Sequence, residues 1–213
     1  MNTKGVLTHT LPNIKMSILN IFKDKRKGNI KLFPEINEIF TDKFEENRKV
    51  FFPICSIKLK AINKDWGDEY IHLVQFNEDP YNREPVKYFT DYCKDTMFSF
   101  DLINGKYKFQ TNHGYFDLTE DWIDLYNDTK RTYQEAKDQF KKNGNTFGID
   151  LIKLGGEPGW WQADETPLDP DGNKMEFITE FESDSICDDG CDKKIFLFYS
   201  PKHKIAVQLY QIT

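Results

Sequence analysis

The chain is poor in every feature that announces a chemistry. Its 213 residues contain no apolar run of about eighteen or more, so no transmembrane helix is expected. The opening M-N-T-K-G-V-L-T-H-T-L-P has no basic segment leading into an apolar h-region, and no secretory signal is expected. The cysteines Cys55, Cys93, Cys187 and Cys191 are scattered, which excludes a disulfide-dense scaffold and reads as a cytosolic compartment. The histidines His9, His72, His113 and His203 share no local motif. There is no G-x-S-x-G elbow, no H-E-x-x-H, no G-x-x-x-x-G-K-[ST] and no G-x-G-x-x-G. A triad assembled from distant residues leaves no local trace of this kind. Excess positive charge is missing too. The net charge is −6 and the pI about 5.3, a balance that disfavours a sequence-independent grip on nucleic-acid phosphates. It is compatible with good solubility, with a basic protein partner or with a cation. No cofactor is expected.

Aromatic residues, in contrast, are plentiful. They make up 15% of the chain, with Phe the commonest, and argue for a folded protein despite a mean hydropathy of −0.67. Ile14, Ile18, Ile21 and Phe22 fall at helical spacing, and a basic run then Gly28 closes a helix over 13–27. Residues 119–142 form a second helix, with Thr119 as cap and Trp122, Tyr126, Tyr133, Ala136 and Phe140 as its apolar stripe. Residues 50–62 and 70–76 pair as a hairpin, and Asn104-Gly105 between alternating runs is a second hairpin turn. Residues 174–182, 194–199 and 204–212 read as a terminal three-stranded meander. The region 30–47 is ambiguous. The expected fold class is α+β, mainly antiparallel sheet with a few helices, in one continuous domain over 1–213. Phe52 and Ile71 in the first hairpin find an echo in Phe177 and Ile195, a pattern that a divergent internal duplication would leave.

The most distinctive stretch is Leu154–Pro167, L-G-G-E-P-G-W-W-Q-A-D-E-T-P. Its glycines, prolines and adjacent tryptophans define a shaped loop held by aromatic anchors. The turn at Gly155, Gly156 and Pro158 is followed by Trp161-Gln162, Pro167, the strand Met175–Phe181, an acidic turn at Asp188–Gly190 and the aromatic strand Phe196–Tyr199. In this order and spacing the C-terminal third resembles the YwqG-like family of bacterial proteins, whose function is uncharacterised. The resemblance implies a mixed protein with extensive antiparallel sheet and brings no catalytic residues. If a ligand cleft exists here, Glu157, Trp160, Trp161 and Gln162 are expected to line it. The opposing expectation is that the loop joins helix to sheet, with Gly155 and Gly156 in glycine-favoured geometry and Trp161 packed on the C-terminal sheet.

Two further groups carry chemistry on paper. Cys187-Asp-Asp-Gly-Cys191 with His203 could start a zinc site, but the spacing is C-x3-C and no fourth ligand is evident; reduced cysteines flanking a turn are the simpler reading, with a disulfide as a third. Asp184, Asp188, Asp189 and Asp192, and likewise Asp169-Pro-Asp-Gly-Asn173, hint at calcium, yet neither follows the EF-hand order and both suit ordinary turns. No metal is therefore expected. The chain reads as a non-enzymatic cytosolic protein-interaction module, one form of which is an immunity-type protein that neutralises a toxin. The alternative is a hydrolase or carbohydrate-processing enzyme using the tryptophans with Glu157, Asp164 and Glu165. No membrane or nucleic-acid partner is expected.

Overall fold

Asn104 and Gly105 both take positive φ, 51° and 73°, the turn geometry that closes a tight hairpin. They join β4 (Met97–Ile103) to β5 (Lys106–Phe109) in the expected place. In the computed structural model, which describes residues 28–81, 85–142, 152–186 and 192–212, this hairpin is the edge of a six-stranded sheet. Its order is β5-β4-β9-β8-β7-β6, with β6 at Lys153–Leu154, β7 at Glu176–Glu182, β8 at Lys193–Ser200 and β9 at Ile205–Ile212. A three-stranded sheet, β1-β2-β3, is made by Ile30–Leu32, Phe51–Lys58 and Tyr70–Phe76. Every neighbouring pair is antiparallel. Among the described residues three α-helices accompany the sheets: α1 (Ile36–Ile39), α2 (Phe44–Val50) and α3 (Ile123–Lys142). Among the described residues strand exceeds helix, 36% to 29%, as an α+β fold built mainly on antiparallel sheet requires. None of the described helices is long and apolar enough to cross a membrane. The helix expected over 13–27 lies outside the described residues.

β8 is buried along its whole length. Its side chains alternate across the sheet. Ile195, Leu197 and Tyr199 join a large core that draws on both sheets, while Phe196 and Phe198 enter a second cluster with Met175, Val207 and Leu209. The six-stranded sheet is thus covered on both faces. In the larger core Phe51 is a hub, with Phe40, Phe98, Phe100, Phe109 and Phe116 all within 6 Å centroid to centroid. α3 closes this core with Tyr126, Thr129, Tyr133 and Ala136 buried at three- and four-residue spacing. The helix itself begins at Ile123, after a 3-10 turn at Glu120–Trp122. Thr119 does not cap it through its side chain; the hydroxyl donates to Asp79 Oδ2 at 2.9 Å instead.

The echo between the two halves of the sequence is a repeat in geometry. β1-β2-β3 and β6-β7-β8 are both antiparallel, each with a short first strand. Both middle strands slip register at one residue, between Pro53 and Cys55 in β2 and between Phe177 and Thr179 in β7. The slipped residues, Ile54 and Ile178, each accept a backbone bond of 2.8 Å from the residue just after the first strand, Phe33 and Gly155. Those two donors share the left-handed region, with φ of 48° and 58°. Glycine tolerates that conformation freely, whereas at Phe33 it costs about 1–2 kcal/mol. Burial of the Phe33 ring against Tyr133 and Phe140, at 5.7 and 5.4 Å, offsets the strain.

Candidate functional site

Gly155 and Gly156 take φ of 58° and 80°, the glycine-favoured geometry expected of this loop. Beyond them the chain crosses the second apolar cluster of the large sheet. Gly159 N–H donates to Glu180 Oε2 at 2.6 Å, which fixes the approach. The Trp160 ring then lies over Phe196 at 4.6 Å and parallel to Phe198 at 5.8 Å. Trp161 N–H and Gln162 N–H both donate to Oε1 of buried Gln211, at 2.9 and 3.0 Å. The Gln162 amide reaches the Ile212 carbonyl at 2.8 Å. Glu157 is exposed, and its carbonyl accepts from Lys153 Nζ. The four expected ligand-lining residues therefore share one loop. Its backbone is bonded by Gln211 and Glu180.

Sequence reading placed Trp161 on the sheet; the ring that packs there is Trp160. Both rings are half-buried, but Trp160 packs on the apolar cluster, whereas the Trp161 ring has Lys194 Nζ 5.7 Å away. Trp160→Ala is accordingly expected to destabilise by about 2 kcal/mol, below the roughly 3–5 kcal/mol of a fully buried ring. Trp161→Ala is expected to cost less than about 1 kcal/mol. Urea denaturation of the two variants checks this, and equal losses would contradict the assignment.

Two of the three carboxylates considered for acid/base work, Asp164 and Glu165, have structural partners. Asp164 accepts from Thr166 N–H at 2.9 Å, from Thr166 Oγ1 at 2.6 Å and from Lys174 Nζ at 3.1 Å. Those bonds, the Thr166 hydroxyl first, hold its pKa down to about 2. It is ionised at neutral pH and offers no proton. Glu165 accepts from Gln211 Nε2 at 3.1 Å. Cys187 and Cys191 lie outside the described residues, so their pairing with His203 does too. His203 instead faces Asp171 and Asp169 of the D-P-D-G-N turn, with Nε2 2.9 Å from Asp171 Oδ2.

One pair escaped the sequence altogether. Ser56 Oγ and His72 Nδ1 are 2.8 Å apart, and His72 Nε2 lies 2.9 Å from the Gly105 carbonyl. With Nε2–H donating to that carbonyl, Nδ1 accepts from the serine, the spacing of a nucleophile and its base. Both side chains are buried, at 4% and 2% exposure, so no substrate reaches them. Burial pushes the His72 pKa down to about 4. The pair satisfies polar atoms inside the core.

Accessible concavity lies elsewhere. Two adjoining clefts, about 400 and 520 Å³, run along α3 and share Arg48, Phe52, Asn127 and Lys130. Neither is lined by Glu157, Trp160, Trp161 or Gln162. The first is bordered by Pro34 and Glu35, just after Phe33, the position that corresponds to Gly155 in the second half. The groove therefore occupies, in the first half, the place next to the Gly/Trp loop's counterpart. Its charge opposes that of the whole chain. Arg48, Lys49, Lys130, Arg131 and Lys137 line it against Glu35, Glu45 and Glu120. Lys137 pairs with Glu35 at 2.8 Å, Arg131 with Glu135 at 3.0 Å and Asp128 at 3.2 Å, and Arg48 with Glu45. Lys49 and Lys130 make no ion pair with any described residue. Beside the groove, Tyr81 is 73% exposed with its ring 5.4 Å from Trp122, and Ile123 is half-exposed. The pieces come from residues 34–53, Asn77 and residues 118–137, too far apart for a sequence motif. Comparison with protein-family models, with curated proteins and with solved structures gives no match to this chain.

Proposed function

We propose that the protein is a non-enzymatic protein-interaction module of the YwqG-like kind, working in the cytosol, and that its docking face is the groove along α3. An immunity-type role, holding a toxin inactive by binding it, is one concrete form. The observation that carries the reading is local: on a chain of net charge −6, the groove presents Lys49 and Lys130 without counter-ions among the described residues, near exposed Tyr81, whose ring meets half-buried Trp122. Aromatic anchors flanked by unpaired cations suit a partner segment bearing carboxylates. The nucleophile–base pair among the described residues is sealed in the core, which favours binding over turnover. The resemblance adds the aromatic strand and the Gly/Trp loop, and here the loop's Trp160 lies over Phe196 and Phe198 of that strand.

The test is charge reversal. Lys49→Glu with Lys130→Glu is expected to abolish capture of the partner protein from cells expressing the chain, at an unchanged melting temperature. Equal capture by both forms would remove the groove from the reading. Turnover of any substrate in a hydrolase and glycosidase panel, with no protein captured by either form, would overturn the module reading itself.

A further inference from the structure

His203 sits in the β8–β9 turn and the D-P-D-G-N turn lies on the segment covering the sheet, and the fold brings them together. Asp169 Oδ1 is consumed by the turn itself, accepting from Asp171 N–H at 3.0 Å and Asn173 N–H at 2.9 Å. Its Oδ2 accepts no hydrogen bond from any described residue, although the side chain is only 10% exposed. That oxygen faces His203 Nε2 across 4.0 Å, wider than a hydrogen bond. Asp171 Oδ2 stands 2.9 Å from the same nitrogen, and one donor atom from each of the three residues falls within 4.8 Å of the others. Two ligands each about 2.0–2.2 Å from a shared ion lie no more than about 4.4 Å apart, a limit that the 2.9 and 4.0 Å separations from His203 Nε2 both meet.

We propose that Asp169, Asp171 and His203 form a binding site for a divalent transition-metal ion of the zinc class, clasping the covering segment to the β8–β9 turn. An imidazole nitrogen beside two carboxylates favours zinc and its neighbours over calcium or magnesium, which prefer all-oxygen shells. The Asp169 carboxylate is held in orientation by the turn's own N–H groups, the outer support that good ligands have. Lys202 Nζ, 2.6 Å from Asp171 Oδ2, supplies positive charge to that oxygen, and at 72% exposure it is free to swing away when an ion enters. Water completes the shell.

Calorimetric titration of the full chain with Zn²⁺ tests the site, in a Cys187→Ser, Cys191→Ser background that removes both thiolates. One ion per chain is expected, with binding retained in Lys202→Ala. Asp171→Asn and His203→Ala are each expected to weaken it by more than about tenfold. Asp169→Asn, which keeps an oxygen for the turn, is expected to do the same, and circular dichroism checks that each variant is folded. No uptake by the unaltered chain, uptake lost with the cysteines, or equal affinity in the Asp171 and His203 variants would each overturn the site.

Discussion

Glu180→Ala is expected to lower unfolding free energy by about 3 kcal/mol, the low end of the cost of breaking a buried pair, because Glu182 Oε1 stays 3.8 Å from Lys194 Nζ. The Glu180 carboxylate lies under the Gly/Trp loop, with Oε1 3.2 Å from Lys194 Nζ and 3.5 Å from Lys153 Nζ while Oε2 accepts from Gly159. Glu180 and Lys194 side chains are both only 10% exposed, so water cannot replace the missing partner. The same change releases the bond that aims Trp160. Urea denaturation at constant m-value reads the loss. The double variant Glu180→Leu, Lys194→Met removes both charges and is expected to recover most of it. A single variant as stable as the parent would mean that this pair does not hold the loop.

A second large effect is set by pH. His72 titrates at about 4 in the folded protein because burial disfavours its charged form, against 6.5 in the unfolded chain. The unfolded state therefore takes up a proton first on acidification. The stabilisation is complete above 6.5 and is lost as pH falls toward 4, about 3 kcal/mol in all. About 2 kcal/mol of this is gone by pH 5, before most carboxylates titrate. His113, whose pKa burial also lowers, adds to the trend with the same sign. Stability measured from pH 7.5 to 5 should fall accordingly, and His72→Gln should flatten that slope. A slope unchanged in the variant would show that His72 is not its source.

Much of the sheet was legible in the sequence. Asn104-Gly105 marked its hairpin because positive φ at two successive positions demands those residues. The strands after Lys174 showed themselves as apolar runs. α1 and α2 did not, since helices of four and seven residues hold too few turns to display a period. The strand expected to run to Ile62 stops at Lys58, and Leu59–Ala61 turn as 3-10 helix, because the alternation persists past the point where β3 can pair. The Ser56–His72 pair is a cross-strand neighbour of the β2–β3 register, visible only once that register is known. The Gly/Trp loop was recognised as shaped, but which tryptophan turns inward depends on Glu180 and Gln211, far away in the chain. The α3 groove had no signature because no single segment contains it.

β9 lies between β4 and β8, so Met97 pairs with Leu209 across most of the described chain. During synthesis the β4–β5 hairpin and the β6–β7–β8 ladder both leave the ribosome before the strand that joins them. Until then two open edges, those of β4 and β8, are exposed at once. Contacts so distant in sequence carry a high loop-closure entropy and form late. The interval before β9 docks is when the chain is most open to pairing with another copy of itself.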